Sequence, residues 1–136
     1  MSQSQSATLV KFIIVGLTNT GVTLSVIFAT KYFWGLADAP ANALGYVLGL
    51  INGYNLNRRW TFRHTGSVVR SLPAFLLIQG VAYVVNLACV LGLIALGVND
   101  YGAHVLGMVP YAIISYLGSR HVAFSAKTAA ERPGAR

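Results

Sequence analysis

Four stretches of the chain are apolar almost without interruption: Leu9 to Phe33, Ala41 to Leu56, Leu72 to Val98 and Tyr101 to Ser119. A bilayer's hydrocarbon core takes about 20 mainly apolar helical residues, so the pattern predicts four transmembrane helices, the second of them short. Polar and proline punctuation separates the stretches at Asp38-Ala39-Pro40, at Arg63 to Ser71 and at Asn99-Asp100. Pro110 stands inside the fourth stretch, where a kink would fall. The expected fold is an all-α membrane protein, a four-transmembrane-helix bundle forming one membrane domain over residues 1–136. Residues 120–136 are expected to be a cytoplasmic tail, partly disordered.

Shifting the chain by 62 positions lays Leu44-Gly45 on Leu106-Gly107, Tyr54 on Tyr116, Arg58 on Arg120 and Phe62 on Phe124. The pattern is that of a duplicated helical hairpin. With two spans per copy, both copies enter the membrane from the same side, which makes the repeat parallel about an axis along the membrane normal.

A mean hydropathy of +0.61 and a charged fraction of 10% exclude an ordinary soluble fold. The net charge of +7 would suggest nucleic acid if it were spread over a polar surface, but the basic residues cluster between the apolar stretches. That arrangement points to anionic membrane lipids and away from nucleic acid. Lys11, Arg58, Arg59, Arg63, Arg70, Arg120, Lys127, Arg132 and Arg136 fall at the N-terminus, the middle loop or the C-terminus. The other two loops carry Asp38, Asp100 and only Lys31. The positive-inside rule then predicts a multi-pass protein of the cytoplasmic membrane with both termini and the middle loop in the cytoplasm. Leu9 to Phe33 is too long and continuous for a signal peptide and reads as the first span.

The helix faces carry the candidate chemistry. At 100° per residue, Gly16, Asn19, Thr20 and Thr23 share a face of the first span, and Gln79, Tyr83 and Asn86 share a face of the third. In the second span Gly45, Gly49 and Gly53 form a doubled small-xxx-small row, with Asn52, Asn55 and Arg59 as an adjoining stripe. In the fourth, His104, Gly107, Tyr111, Ser115 and Gly118 line up. Polar groups facing lipid are costly, so these faces are expected to turn toward one another or toward another subunit, which leaves a homo-oligomer open. One reading makes the stripes helix-packing contacts. A sharper one makes Asn19, Asn52, Asn55 and Asn86 the lining of a polar crevice for a hydroxyl-rich or phosphate-bearing headgroup. Arg58, Arg59 and Arg120, at the cytoplasmic ends of the second and fourth spans, suit bidentate phosphate binding or snorkelling into headgroups. His64 and His121 read as interfacial, and Trp60, Phe62 and Phe124 as an interface belt.

No catalytic residue emerges. The three carboxylates, Asp38, Asp100 and Glu131, fall outside the spans, so no paired acid/base site is available. There is no Walker-type loop, nucleophile elbow or zinc-spaced His/Cys set, and the single Cys89 reads as a small buried hydrophobe. No cofactor or metal is implied, and the expectation is a protein that is not an enzyme.

The stretch Phe12-Ile13-Ile14-Val15-Gly16-Leu17-Thr18-Asn19-Thr20, the run Leu56-Asn57-Arg58-Arg59-Trp60-Thr61-Phe62 and its partner Gly118-Ser119-Arg120-His121-Val122-Ala123-Phe124 resemble the GtrA-like family over residues 11 to 125. The resemblance implies a four-span protein of cell-surface polysaccharide synthesis or glycosylation that moves polyprenyl-phosphate-linked sugar across the cytoplasmic membrane. It also implies a membrane glycosyltransferase as partner. It offers Asn57, Arg58, Arg59 and Arg120, with Asn52 and Asn55, as substrate-binding candidates, and Asn19, Thr23, Gln79 and Asn86 as pathway-lining positions. Two departures stand out: many relatives carry Asp where this chain has Thr23, and an Asn-Phe pair where it has Ser115-Tyr116. The alternative function is a non-transporting anchor or scaffold for the glycosyltransferase. A small multidrug exporter is disfavoured, because that class relies on a carboxylate in the first span.

Overall fold

The computed structural model describes residues 2–125. The chain divides between Arg63 and His64 into two compact units, each a helical hairpin. In the first, α1 (Gln3–Trp34) is followed by α2 (Asp38–Leu56), which opens directly into a π-helical turn, Asn57–Thr61. In the second, α3 (Val68–Ala95) is followed by α4 (Asp100–Gly118) and by a second π-helical turn, Ser119–Ala123. There is no strand among the described residues.

The chain is an all-α membrane protein. Helices α1 and α3 are long and apolar enough to cross a bilayer. Helices α2 and α4 have 19 residues each, about 28 Å at the α-helical rise, close to the ~30 Å of hydrocarbon to be crossed. Large apolar side chains such as Leu17, Phe28, Leu77, Val84 and Val105 stand exposed, which suits lipid as solvent and not water.

Several boundaries differ from those expected. Helix α1 starts at Gln3 and not at Leu9, because Ser2 caps it: Ser2 Oγ accepts from the Gln5 amide at 3.3 Å, and Gln5 Oε1 accepts from the Ser2 amide at 3.0 Å. Helix α2 starts at Asp38, ahead of the expected Ala41. Helix α3 starts at Val68 and not at Leu72, taking in Ser71, whose Oγ donates to the Ser67 carbonyl at 2.9 Å, and it ends at Ala95, short of Val98. Residues 120–123, expected in the tail, belong to the second π turn. The rest of that tail, from residue 126 on, lies outside the described residues.

In the first hairpin every fourth residue of α2 and its π turn is buried: Ala41, Gly45, Gly49, Gly53, Asn57 and Thr61. Such a row is inclined to the helix axis, and small residues along it let two backbones approach closely. A Cβ at Gly45 would lie 2.8 Å from the Thr23 carbonyl oxygen and 2.7 Å from Ile27 Cγ1, and one at Gly49 would strike Thr23 Oγ1. In the second hairpin Ala103, Gly107, Ser115, Ser119 and Ala123 are the buried row. There Gly107 lies against Val90 and Asn86, and Gly118 against Ile78. Matching ring pairs join the start of the first helix to the end of the second in each hairpin, Phe12 with Phe62 at 6.3 Å and Phe75 with Phe124 at 5.9 Å.

These contacts correct the repeat register. The second helices correspond at 62 positions, but Ile27 plays the part of Val90, Thr23 that of Asn86 and Phe12 that of Phe75, in each case 63 positions on. The missing residue is taken up just before the left-handed glycines Gly35 (φ 61°) and Gly97 (φ 91°), which again stand 62 apart. The Gly35 amide donates to the Lys31 carbonyl, four residues back, whereas the Gly97 amide donates to Ile94, three back. Next, Leu36 reaches Thr30 and Val98 reaches Leu93, again one residue shorter in the second hairpin. Helix α3 thus ends in a tightened, 3₁₀-like turn.

Candidate functional site

The two π turns coincide with the two motifs singled out in the sequence, Asn57-Arg58-Arg59-Trp60-Thr61 and Ser119-Arg120-His121-Val122-Ala123. Each is closed by an amide reaching five residues back, Phe62 to the Asn57 carbonyl at 2.9 Å and Phe124 to the Ser119 carbonyl at 2.8 Å. An i+4 row in an α-helix slews by about 40° per step. The wider turn counters that slew at the end of the row and keeps Asn57 and Thr61 buried. Insertions of this kind are frequent at functional sites.

Arg58 and Arg120 occupy equivalent half-buried places on the two turns. Arg120 Nη1 donates to the Tyr116 hydroxyl at 3.2 Å, and the equivalent tyrosine, Tyr54, is buried. Arg59 is exposed. Trp60 receives the Lys11 ammonium 5.6 Å from its ring centroid, a cation–π contact that ties α1 to the turn. Phe124 and His64, expected at the interface, are buried instead, with their rings 5.5 Å apart. Phe62 packs on Phe12.

The predicted stripes divide. On α2, Asn52 is half-buried while Asn55 is exposed, like Arg59. On α1, Asn19 and Thr23 are half-buried against the α2 glycines, and Gly16 and Thr20 are exposed. On α3, Gln79 and Asn86 are half-buried and Tyr83 is exposed. Gln79 is the centre of a closed network with α4: its Nε2 donates to Ser115 Oγ at 2.8 Å, and its Oε1 accepts from Ser115 at 3.0 Å and from the Tyr111 hydroxyl at 2.9 Å. The equivalent positions of the first hairpin, Gly16, Gly49 and Gly53, have no side chain to form one. Asn19 Oδ1, Asn52 Nδ2, Asn57 Oδ1 and Thr61 Oγ1 are buried with no hydrogen-bond partner among the described residues. In the second hairpin Ser119 Oγ is in the same condition.

Thr61 and Ser119 were not among the expected site residues. Their signal was the four-residue spacing itself, which continues from Gly45 and Gly107 through them. At the connection between α1 and α2, the Lys31 ammonium donates to Asp38, and this hydrogen bond together with its charge holds the Asp38 carboxyl below the usual carboxylate range.

Two apolar hairpins, each ending in a π turn that carries a half-buried arginine beside a buried polar side chain, define a duplicated all-α membrane protein with a polar seam in each half. The family model for the GtrA/DPMS transmembrane domain matches residues 11–124, and the chain belongs to that family. The match spans all three stretches that carried the resemblance. No curated protein matches the chain. Membership associates the chain with lipid-linked sugar processes, within a family of membrane domains that is generally non-catalytic.

Proposed function

We propose that the protein translocates a polyprenyl-phosphate-linked sugar across the cytoplasmic membrane, for cell-surface polysaccharide synthesis or glycosylation, alongside the membrane glycosyltransferase that loads the lipid. The observation that carries this reading is the equivalent placement of Arg58 and Arg120, each half-buried on a π turn where a row of small and polar residues leaves an otherwise apolar helix. A guanidinium binds phosphate bidentately, and a charge at mid-bilayer costs about 2.5 to 3.5 kcal/mol even on insertion scales. Arginines at the cytoplasmic end collect the phosphate, and the seam lowers the barrier for the sugar while the polyprenyl chain stays in lipid. Nothing in the chain supplies energy, so the movement is facilitated and is drawn by consumption of the sugar on the far side.

The test is leaflet exchange of a labelled lipid-linked sugar in proteoliposomes of known protein content. Exchange above that of protein-free vesicles supports translocation. Absence of exchange, together with loss of glycosyltransferase recruitment when the chain is removed from cells, would replace it with the scaffold reading.

A further inference from the structure

We propose that the sugar is recognised in the seam of the first hairpin alone, between α1 and α2 with its π turn, while the second hairpin's seam is closed by its own side chains and serves structure. This rests on the translocation reading for the identity of the sugar-bearing lipid, and on the internal repeat for the site. With the register corrected, the three residues of the closed network in the second hairpin, Gln79, Tyr111 and Ser115, correspond to Gly16, Gly49 and Gly53 in the first. Where one half places an amide, a phenol and a hydroxyl, the other places three glycines. Thr23 Oγ1 closes the space at Gly49, but a Cβ built on Gly16 meets nothing within 4 Å, and the nearest atoms to one on Gly53 are those of the Asn19 amide, from 3.4 Å, so the opening lies at Gly16 and Gly53.

A row of small residues is by itself only a packing device. Here the row continues into Asn57 and Thr61, each 5% exposed, whose Oδ1 and Oγ1 have no hydrogen-bond partner among the described residues. The buried Asn19 Oδ1 and Asn52 Nδ2 are in the same state. Four unpaired polar atoms in one small hairpin are costly to a folded membrane protein. In the second hairpin Ala123 replaces Thr61 and Ala82 replaces Asn19, so that of the equivalent row Ser119 Oγ is left in that state.

The kind of atom selects the ligand. A phosphate presents acceptors only, and it would leave amide oxygens unpaired or opposed. A sugar hydroxyl both donates and accepts, as this set requires: two amide oxygens, one amide nitrogen and one hydroxyl. Each asparagine offers one donor end and one acceptor end, so reversing an amide does not change the mixed character of the set. The ligand chemistry is therefore polyhydroxylated, and in the reading above it is the sugar ring, with the phosphate left to the arginines.

Binding to the purified full chain in nanodiscs tests this without any transport. The probes are geranyl-phosphate glucose, galactose and mannose, compared with bare geranyl phosphate and with phosphatidylglycerol. The wild type should bind at least one hexose conjugate more tightly than the bare phosphate. Thr61→Val, which removes a buried hydroxyl but keeps its shape, and Gly16→Gln, which copies the filling residue of the second hairpin into open space, should each weaken that conjugate by about tenfold. Both should leave bare geranyl phosphate binding unchanged and the melting temperature unchanged or raised. Ser115→Ala should lower the melting temperature and keep the hexose preference. Equal affinity for the bare phosphate and all three conjugates, a preference that survives both substitutions, a fall in melting temperature with Thr61→Val, or loss of the preference in Ser115→Ala would each overturn the assignment. So would a preference for phosphatidylglycerol, whose glycerol hydroxyls offer the same chemistry, that Thr61→Val abolishes in place of a hexose preference. Failure of the two proposals separates cleanly: hexose preference without leaflet exchange removes translocation, and exchange without hexose preference removes this site.

Discussion

Arg58 and Arg59 are adjacent in sequence and differ in surroundings. Arg58 is half-buried and corresponds to Arg120, whereas Arg59 is exposed and corresponds to His121. A helical wheel groups Arg59 with Asn52 and Asn55, but it cannot say which edge of that stripe meets α1, and it assumes a uniform turn that the π segment breaks. Charge-assisted hydrogen bonds to phosphate contribute roughly 1.5 to 3 kcal/mol. Arg58→Gln should therefore reduce leaflet exchange by about tenfold or more, and Arg59→Gln by much less, at matched protein incorporation. Equal losses would reduce the pair to a general basic surface. The polar residues on α1 and α3 were legible as candidates because any amide inside an apolar stretch stands out. Which of them are paired was not legible, since that depends on what each meets across the seam: Gln79 meets Ser115 and Tyr111, while Asn19 meets glycine.

At the scale of the helix, the glycines are not interchangeable. Gly45 holds α2 against the Thr23 carbonyl oxygen, which cannot move aside as a flexible side chain can, whereas a Cβ on Gly92 in α3 meets nothing within 4 Å. Gly45→Ala should lower the melting temperature in detergent by an amount that corresponds to about 1 to 3 kcal/mol of overpacking. Gly92→Ala should hold or raise it, gaining up to about 1 kcal/mol of helix propensity. A Gly45→Ala protein that melts like the wild type would show that α1 and α2 can part at no cost. The small-residue row was visible in the sequence and so were the helices. The π turns were not, because a period of four is compatible with an inclined α-helical ridge until the row stays buried farther than such a ridge could carry it.

For the molecule as a whole, the expected topology sets Ser4 and Thr65 on the cytoplasmic side and Ala37 on the other. In a Cys89→Ala background, single cysteines at Ser4 and Thr65 should resist an impermeant thiol reagent in intact cells, and one at Ala37 should react. Labelling at Ser4 or Thr65 would sink the orientation drawn from the charges. The duplication was legible through α2 and α4, where Gly45, Tyr54, Arg58 and Phe62 recur at a single offset. It was hidden in α1 and α3, whose correspondence runs one residue out of step. That step has a consequence for how such a chain meets bilayers of different thickness. A residue lost within a helix turns everything beyond it by about 100° and would spoil the faces that pair. At Gly97 the one-residue difference from the first hairpin is absorbed by a tightened turn ahead of the left-handed glycine, and α4 keeps its face toward α3. A helix end built this way uncouples span length from span orientation, at about 1.5 Å per residue. Lineages with thinner or thicker membranes have a place to trim or extend a span without redrawing the seam it encloses.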